Sequence, residues 1–94
     1  MVKKPFTTTG TITGQQVKAA RAWLDLSQDD LSAETMVARR AIQDFETGKG
    51  APKPRTLRDL RTALEGRGIA FLFVDERAVG IVASDQNQKV APKE

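Results

Sequence analysis

The chain has 94 residues, a net charge of +3, and neither cysteine nor histidine. That length makes one domain with a modest core, which a partner subunit can usefully complete. Without cysteine there is no disulfide, thiol nucleophile or thiolate metal site, and without histidine the commonest general base and metal ligand are gone, so no metal, cofactor or enzymatic activity is expected. No apolar run approaches the ~20 residues that span a bilayer. The N-terminus lacks the apolar core of a signal peptide. The expectation is a soluble protein without a membrane role, cytoplasmic by default.

The charge is unevenly placed. Arg39, Arg40, Lys49, Lys53, Arg55, Arg58 and Arg61 face only Asp44, Glu46 and Asp59 between Met36 and Arg61, which leaves that segment four charges positive. A basic zone on a near-neutral chain suits a polyanion, though scattered lysines and arginines also form ordinary solvated faces.

In chain order, residues 1–11 carry Lys3, Lys4, a proline and a threonine run with no apolar period, and predict a flexible basic arm. Residues 12–68 hold the helical domain. The first helix starts near Thr13, a capping residue. Ile12 packs back as a staple, and Val17, Ala20, Arg21 and Leu24 follow at helical spacing. Trp23 sits beside this stripe and is expected to be partly buried. Asp25 ends the helix, being one of the few residues that tolerate the left-handed conformation.

Ser27 and Asp30 form a capping-box pattern opening the second helix, with Leu31 and Ala33 expected inward. Asp29 and Asp30 suit the positive helix end and repel phosphate. Thr35, Met36 and Val37 make a turn. The third helix runs from about Ala38 to Glu46, burying Val37, Ile42 and Phe45, and Gly48 stops it. Ala51 to Pro54 is an extended linker. The fourth helix starts at Pro54 or Arg55, with Leu57, Leu60, Ala63 and Leu64 as its apolar stripe. Arg55 is a candidate phosphate contact at its start, while Arg58 and Arg61 read as a solvated face.

Ile69 to Val74 and Val79 to Ala83 predict a hairpin turning at residues 75–78, within a unit spanning residues 69–83. Both faces of its first strand are apolar. One can cover the helices; the other needs a second cover, because a two-stranded ribbon alone is barely stable. Phe71, Leu72, Phe73, Val74 and Ile81 are therefore candidate dimer-interface residues. Residues 84–94 are polar and aperiodic, and predict a disordered tail.

Arg21, Leu26-Ser27-Gln28, Leu31-Ser32, Val37, Ile42 and Phe45-Glu46-Thr47-Gly48-Lys49 together resemble the Xre / phage-repressor (Cro and CI type) helix-turn-helix family. The resemblance covers residues 13–64. It implies a mostly α fold: a four-helix lambda-repressor-like helix-turn-helix domain, here followed by a C-terminal β-hairpin. It also implies that the second helix of the motif lies in the major groove of double-stranded DNA. The implied base contacts are Arg39, Arg40, Gln43 and Asp44. The implied phosphate contacts are Gln28, Ala38, Thr47, Gly48 and Lys49, and Arg21 with Glu46 is the implied structural ion pair. Three positions depart from the family pattern. Met36 stands at the usual glycine of the turn. Ala38 replaces a capping Ser or Thr, forgoing about 1 kcal/mol. Asp44 puts a carboxylate where a base contact is common.

One helix-turn-helix reads little sequence, so two half-sites about one turn (~34 Å) apart, read by a homodimer, are expected. The leading expectation is a sequence-specific transcriptional regulator, most simply a repressor, working on nucleoid DNA. An antitoxin-like protein that binds a toxin and autoregulates its operon is the first alternative. A protein-protein interaction module without a DNA role is the second, so a protein partner stays open.

Overall fold

The computed structural model describes residues 5–84. Four helices precede a two-stranded antiparallel hairpin: α1 (Gly14–Leu24), α2 (Gln28–Thr35), α3 (Arg39–Glu46), α4 (Pro54–Glu65), β1 (Ile69–Val74) and β2 (Arg77–Ala83). Lys3, Lys4 and the tail beyond Ser84 lie outside the described residues.

Local side chains set the helix ends. At α1 the Thr13 hydroxyl accepts from the Gln16 amide at 3.3 Å, and Gln16 Oε1 accepts from the Thr13 amide at 3.0 Å. At α2 the same reciprocal box joins Ser27 and Asp30, at 2.9 and 3.1 Å. Each box satisfies two amides that a helix start otherwise leaves without partners. The bonds from Ser27 hold the Asp30 carboxyl below its usual range. Asp25 ends α1 at φ 57, as expected. Met36 ends α2 at φ 66 with its side chain in solvent. The turn thus keeps the left-handed shape of a glycine turn, at a cost of roughly 1–2 kcal/mol for a residue with a Cβ. Ala38 opens α3 without a side-chain cap, and Pro54 is the first residue of α4.

Ile12, Val17, Ala20, Leu31, Ile42, Leu60 and Leu64 form the buried centre between the helices, and Ile69, Phe71 and Phe73 of β1 close it. Burying each large side chain contributes about 1.5–3 kcal/mol. Two expectations fail. Ala33 is exposed: it follows Leu31 by two residues, which puts it on the far side of a 3.6-residue helix. Trp23 is 70% exposed. It lines an open hollow of about 210 Å³ with Ile81 and Ala83 of β2.

The hairpin turn is shorter than predicted. Asp75 and Glu76 both have positive φ, 54 and 67, so a two-residue turn suffices and β2 starts at Arg77. Phe73 pairs with Ala78 and Leu72 with Gly80, which leaves Val79 as a bulge. Ile69, Phe71 and Phe73 point into the core while Ala70, Leu72 and Val74 point away. Gln16 fastens the hairpin to α1. It is buried, and its Nε2 donates to the Leu72 carbonyl at 3.0 Å and the Gly80 carbonyl at 2.9 Å.

The arm is not flexible along its whole length. Thr7 exchanges both backbone hydrogen bonds with Phe73, at 2.9 and 2.8 Å. Arg61 donates to the carbonyls of Thr8 (2.6 Å) and Gly10 (2.9 Å). The free edge of β1 and one long side chain hold down a segment with no apolar period of its own. Arg61 is therefore a clamp, not part of a solvated face. Its guanidinium also lies 5.7 and 5.6 Å from the ring centres of Phe71 and Phe73.

Candidate nucleic-acid interface

α2, its turn and α3 form one fixed unit. Leu31 and Ile42 are fully buried, with Val37 and Phe45 packed beside them. The Ser32 hydroxyl donates to the Val37 carbonyl at 2.6 Å, and the Thr35 hydroxyl accepts from the Val37 amide at 3.2 Å. With Ile42 turned inward, α3 presents Arg39, Arg40 and Gln43 to solvent, and Asp44 at the margin. All four predicted base contacts therefore share one accessible edge. Ala38 is exposed just before them.

Behind this edge runs a chain of polar contacts. Arg21 grips Glu46 through two bonds of 2.7 Å and donates a third to the Leu26 carbonyl at 3.0 Å. The Glu46 side chain is 2% exposed and that of Arg21 15%. The bond to Glu46 raises the Arg21 pKa above its ordinary value. Glu46 Oε1 also accepts from Gln28 Nε2 at 3.0 Å, and Gln28 Oε1 accepts from Arg39 Nη1 at 3.3 Å. Arg39 Nε lies 3.3 Å from Asp29 Oδ1, and Arg40 Nε 3.6 Å from Asp44 Oδ1.

The predicted phosphate set divides. The amides of Thr47, Gly48 and Lys49 are not a clamp, because they already donate to Gln43, Phe45 and Asp44 carbonyls at 3.0, 3.2 and 2.7 Å. The end of α3 uses them to satisfy its own last carbonyls. The Thr47 hydroxyl is likewise bonded back to the Gln43 carbonyl at 2.9 Å. Gln28 is committed to Glu46 and Arg39. The side chains of Lys49, Lys53 and Arg55 make no ion pair among the described residues. Lys49 and Lys53 border an open hollow of about 360 Å³ between the end of α3 and the start of α4.

The predicted dimer set also divides. Phe71 and Phe73 are fully buried inside the protomer and are corrected to core residues. Their side of β1 faces the helices, so the rings cannot also form a seam. Ile81 packs partly against the same core. Leu72 and Val74 lie on the outward face, as does the half-exposed Val82, which pairs with Ala70.

Three residues that shape this region are not marked by the helix-turn-helix pattern. Gln16 is one, although T-x-x-Q from Thr13 carries its capping signal. Gly14 is another: a methyl there would strike the Phe45 carbonyl, so glycine lets α1 approach the end of α3. Asp29 is the third, and nothing in the pattern pairs it with Arg39.

Among the described residues no helix is long and apolar enough to cross a membrane. A family model described as Helix-turn-helix matches residues 17–71, more than half of the chain. No curated protein matches the chain.

Proposed function

This chain belongs to the Xre/Cro/CI-type helix-turn-helix family of DNA-binding regulatory domains, and on that premise we propose that it is a sequence-specific regulator that binds a two-half-site operator as a homodimer. The observation that carries this reading is the edge of α3. Arg39 and Arg40 stand exposed at the start of the motif's second helix, whose apolar side is buried. Arginine is suited to guanine O6 and N7, the commonest specific contact in the major groove. Lys49, Lys53 and Arg55 supply the sequence-independent attraction.

Selection of bound sequences from random duplex DNA tests the reading. Wild type is expected to enrich one site with two related halves. Arg39→Ala or Arg40→Ala should relax one position per half, by about 1–3 kcal/mol of discrimination. Lys49→Ala should weaken all sequences alike and flatten the salt dependence, by roughly 0.9 in the slope of log K against log salt. A wild-type protein that enriches no sequence overturns the reading.

The outward hairpin face supports the homodimer. Leu72, Val74 and Val82 leave apolar surface on the hairpin face turned away from the helices, which a second protomer would cover. Sedimentation at micromolar concentration should give a dimer for wild type and a monomer for both Leu72→Asp and Val82→Asp. Val82 is 49% exposed, so its variant keeps the protomer fold. A wild-type monomer, or two dimeric variants, rejects this interface.

One observation favours the antitoxin-like alternative, the bare indole of Trp23 beside Ile81 and Ala83. It suits a protein partner, which would bind in proportion to Trp23 and be lost on Trp23→Ala with DNA selection unchanged.

A further inference from the structure

Arg39 and Arg40 stand side by side at the start of α3, but they are held very differently. The Arg40 side chain is 82% exposed and, among the described residues, its one ion pair is with Asp44 on its own helix at 3.6 Å. Arg39 reaches back to α2 and meets two groups there. Its Nε lies 3.3 Å from Asp29 Oδ1, and its Nη1 donates to Gln28 Oε1 at 3.3 Å. Gln28 is itself fixed by the nearly buried Glu46. Asp29 has no part in the capping box of α2, which Ser27 and Asp30 complete between them. Its place in the first turn of α2 suits the positive helix end, but its side chain is 81% exposed and not fixed by packing, and it lies against Arg39.

We infer that Asp29 is a specificity-determining positioning residue: it holds Arg39 by Nε so that the terminal Nη1/Nη2 fork faces a guanine, and it keeps that guanidinium off neighbouring phosphates. The donor count fits. The guanidinium has one N–H on Nε and two on each terminal nitrogen. Asp29 stands 3.3 Å from Nε as an ion-pair partner on that side, and Gln28 takes one of the Nη1 pair. One hydrogen on Nη1 and both on Nη2 remain, and the fork that pairs with guanine O6 and N7 needs one from each. Arg40, without such a hold, turns freely to whatever anion is near. The carboxylate has a second effect. A free arginine at a DNA surface drifts to phosphate, the more numerous partner. Asp29 competes for that interaction on every sequence, but a correctly placed guanine leaves the Asp29 contact intact. Random DNA is therefore penalised and the operator is not.

The role of Asp29 rests on Arg39 reading DNA, and the test separates the two. The full chain is compared with Asp29→Ala, Arg39→Ala and the double variant. Each is measured on the selected operator, on operators changed at the base pair that Arg39→Ala relaxes, and on random duplex across a salt series. Asp29→Ala is expected to lower discrimination at that base pair by about three- to tenfold, a part of the whole arginine contact. It should also tighten binding to random duplex, and steepen the salt slope by roughly 0.9, the equivalent of one more phosphate contact. Both changes should vanish when Asp29→Ala is made in the Arg39→Ala background, which loss of one negative charge alone does not produce. Thermal midpoints of the variants control for folding. If wild type selects an operator and Arg39→Ala relaxes one position, but Asp29→Ala leaves that position's discrimination unchanged, the role of Asp29 is rejected and the regulator stands. The role of Asp29 is rejected in the same way if the effect of Asp29→Ala persists without Arg39. If wild type selects nothing, the regulator itself is rejected and the role of Asp29 with it.

Discussion

Arg21→Ala is expected to destabilise the domain by about 3–5 kcal/mol, the range for breaking a buried ion pair by removing one partner. At the low end this lowers the melting temperature by roughly 12–24 °C for a domain of this size. The size of the effect comes from what is left behind. The Glu46 side chain is 2% exposed and, among the described residues, receives two of its three hydrogen bonds from Arg21. Without that guanidinium its carboxylate keeps one neutral donor, Gln28, and almost no water. The Leu26 carbonyl loses a donor as well. Replacing both partners with apolar residues of similar volume, Arg21→Met with Glu46→Leu, should recover most of the stability, because no charge is then stranded. DNA discrimination should not recover with it, since Gln28 loses the acceptor that steadies it behind Arg39. Denaturant unfolding followed on the single and double variants checks the first point, and operator selection the second. A single variant within about 1 kcal/mol of wild type would show that the pair does not hold the domain together.

That pair was visible in the sequence only through resemblance, and the contrast with other features is informative. Thr13, Ser27, Asp25 and Gly48 act on backbone within a few residues of themselves, so their roles follow from local chemistry alone. The apolar stripes are equally local. They mark Ile42 and Leu31 as buried, and that alone turns Arg39, Arg40 and Gln43 outward. What stayed hidden depends on distant parts of the chain meeting. Gln16 reaches carbonyls 56 and 64 residues away. Arg61 crosses 51 and 53 residues to the Gly10 and Thr8 carbonyls. A polar side chain at such a distance leaves no periodic signal. The exposure of Trp23 is not legible in the sequence because periodicity says which side of a helix a residue occupies, not how fully a neighbouring element covers it. The amides of Thr47 to Lys49 are ambiguous in the sequence for a different reason: a helix end can offer them to an anion or fold them back, and the choice lies in the backbone turn.

The hairpin faces were the other ambiguity, and Phe73 decides between them. Phe73→Ala is expected to destabilise the protein by about 3–5 kcal/mol, as for an aromatic removed from a packed core. The ring is fully buried. Gly10 lies so close against it that a methyl at Gly10 would collide with the ring, and Arg61 stacks over it at 5.6 Å. Removing it takes away the surface on which the arm rests. Thr7 then loses its packed context, although its two backbone bonds to position 73 stay chemically possible. Amide exchange should therefore speed up at Thr7 well before it does at Leu31 or Ile42, as local opening precedes global unfolding. A seam residue behaves differently. Were Phe73 on the dimer surface, its loss would weaken association, and the measured destabilisation would change with protein concentration. A core residue gives the same loss at two concentrations about a hundredfold apart. Leu72→Asp, one position along and on the opposite face, should show the reverse pattern: a concentration-dependent loss with the arm still protected. If Phe73→Ala leaves Thr7 protected and shifts stability only on dilution, the two faces of β1 have been assigned the wrong way round.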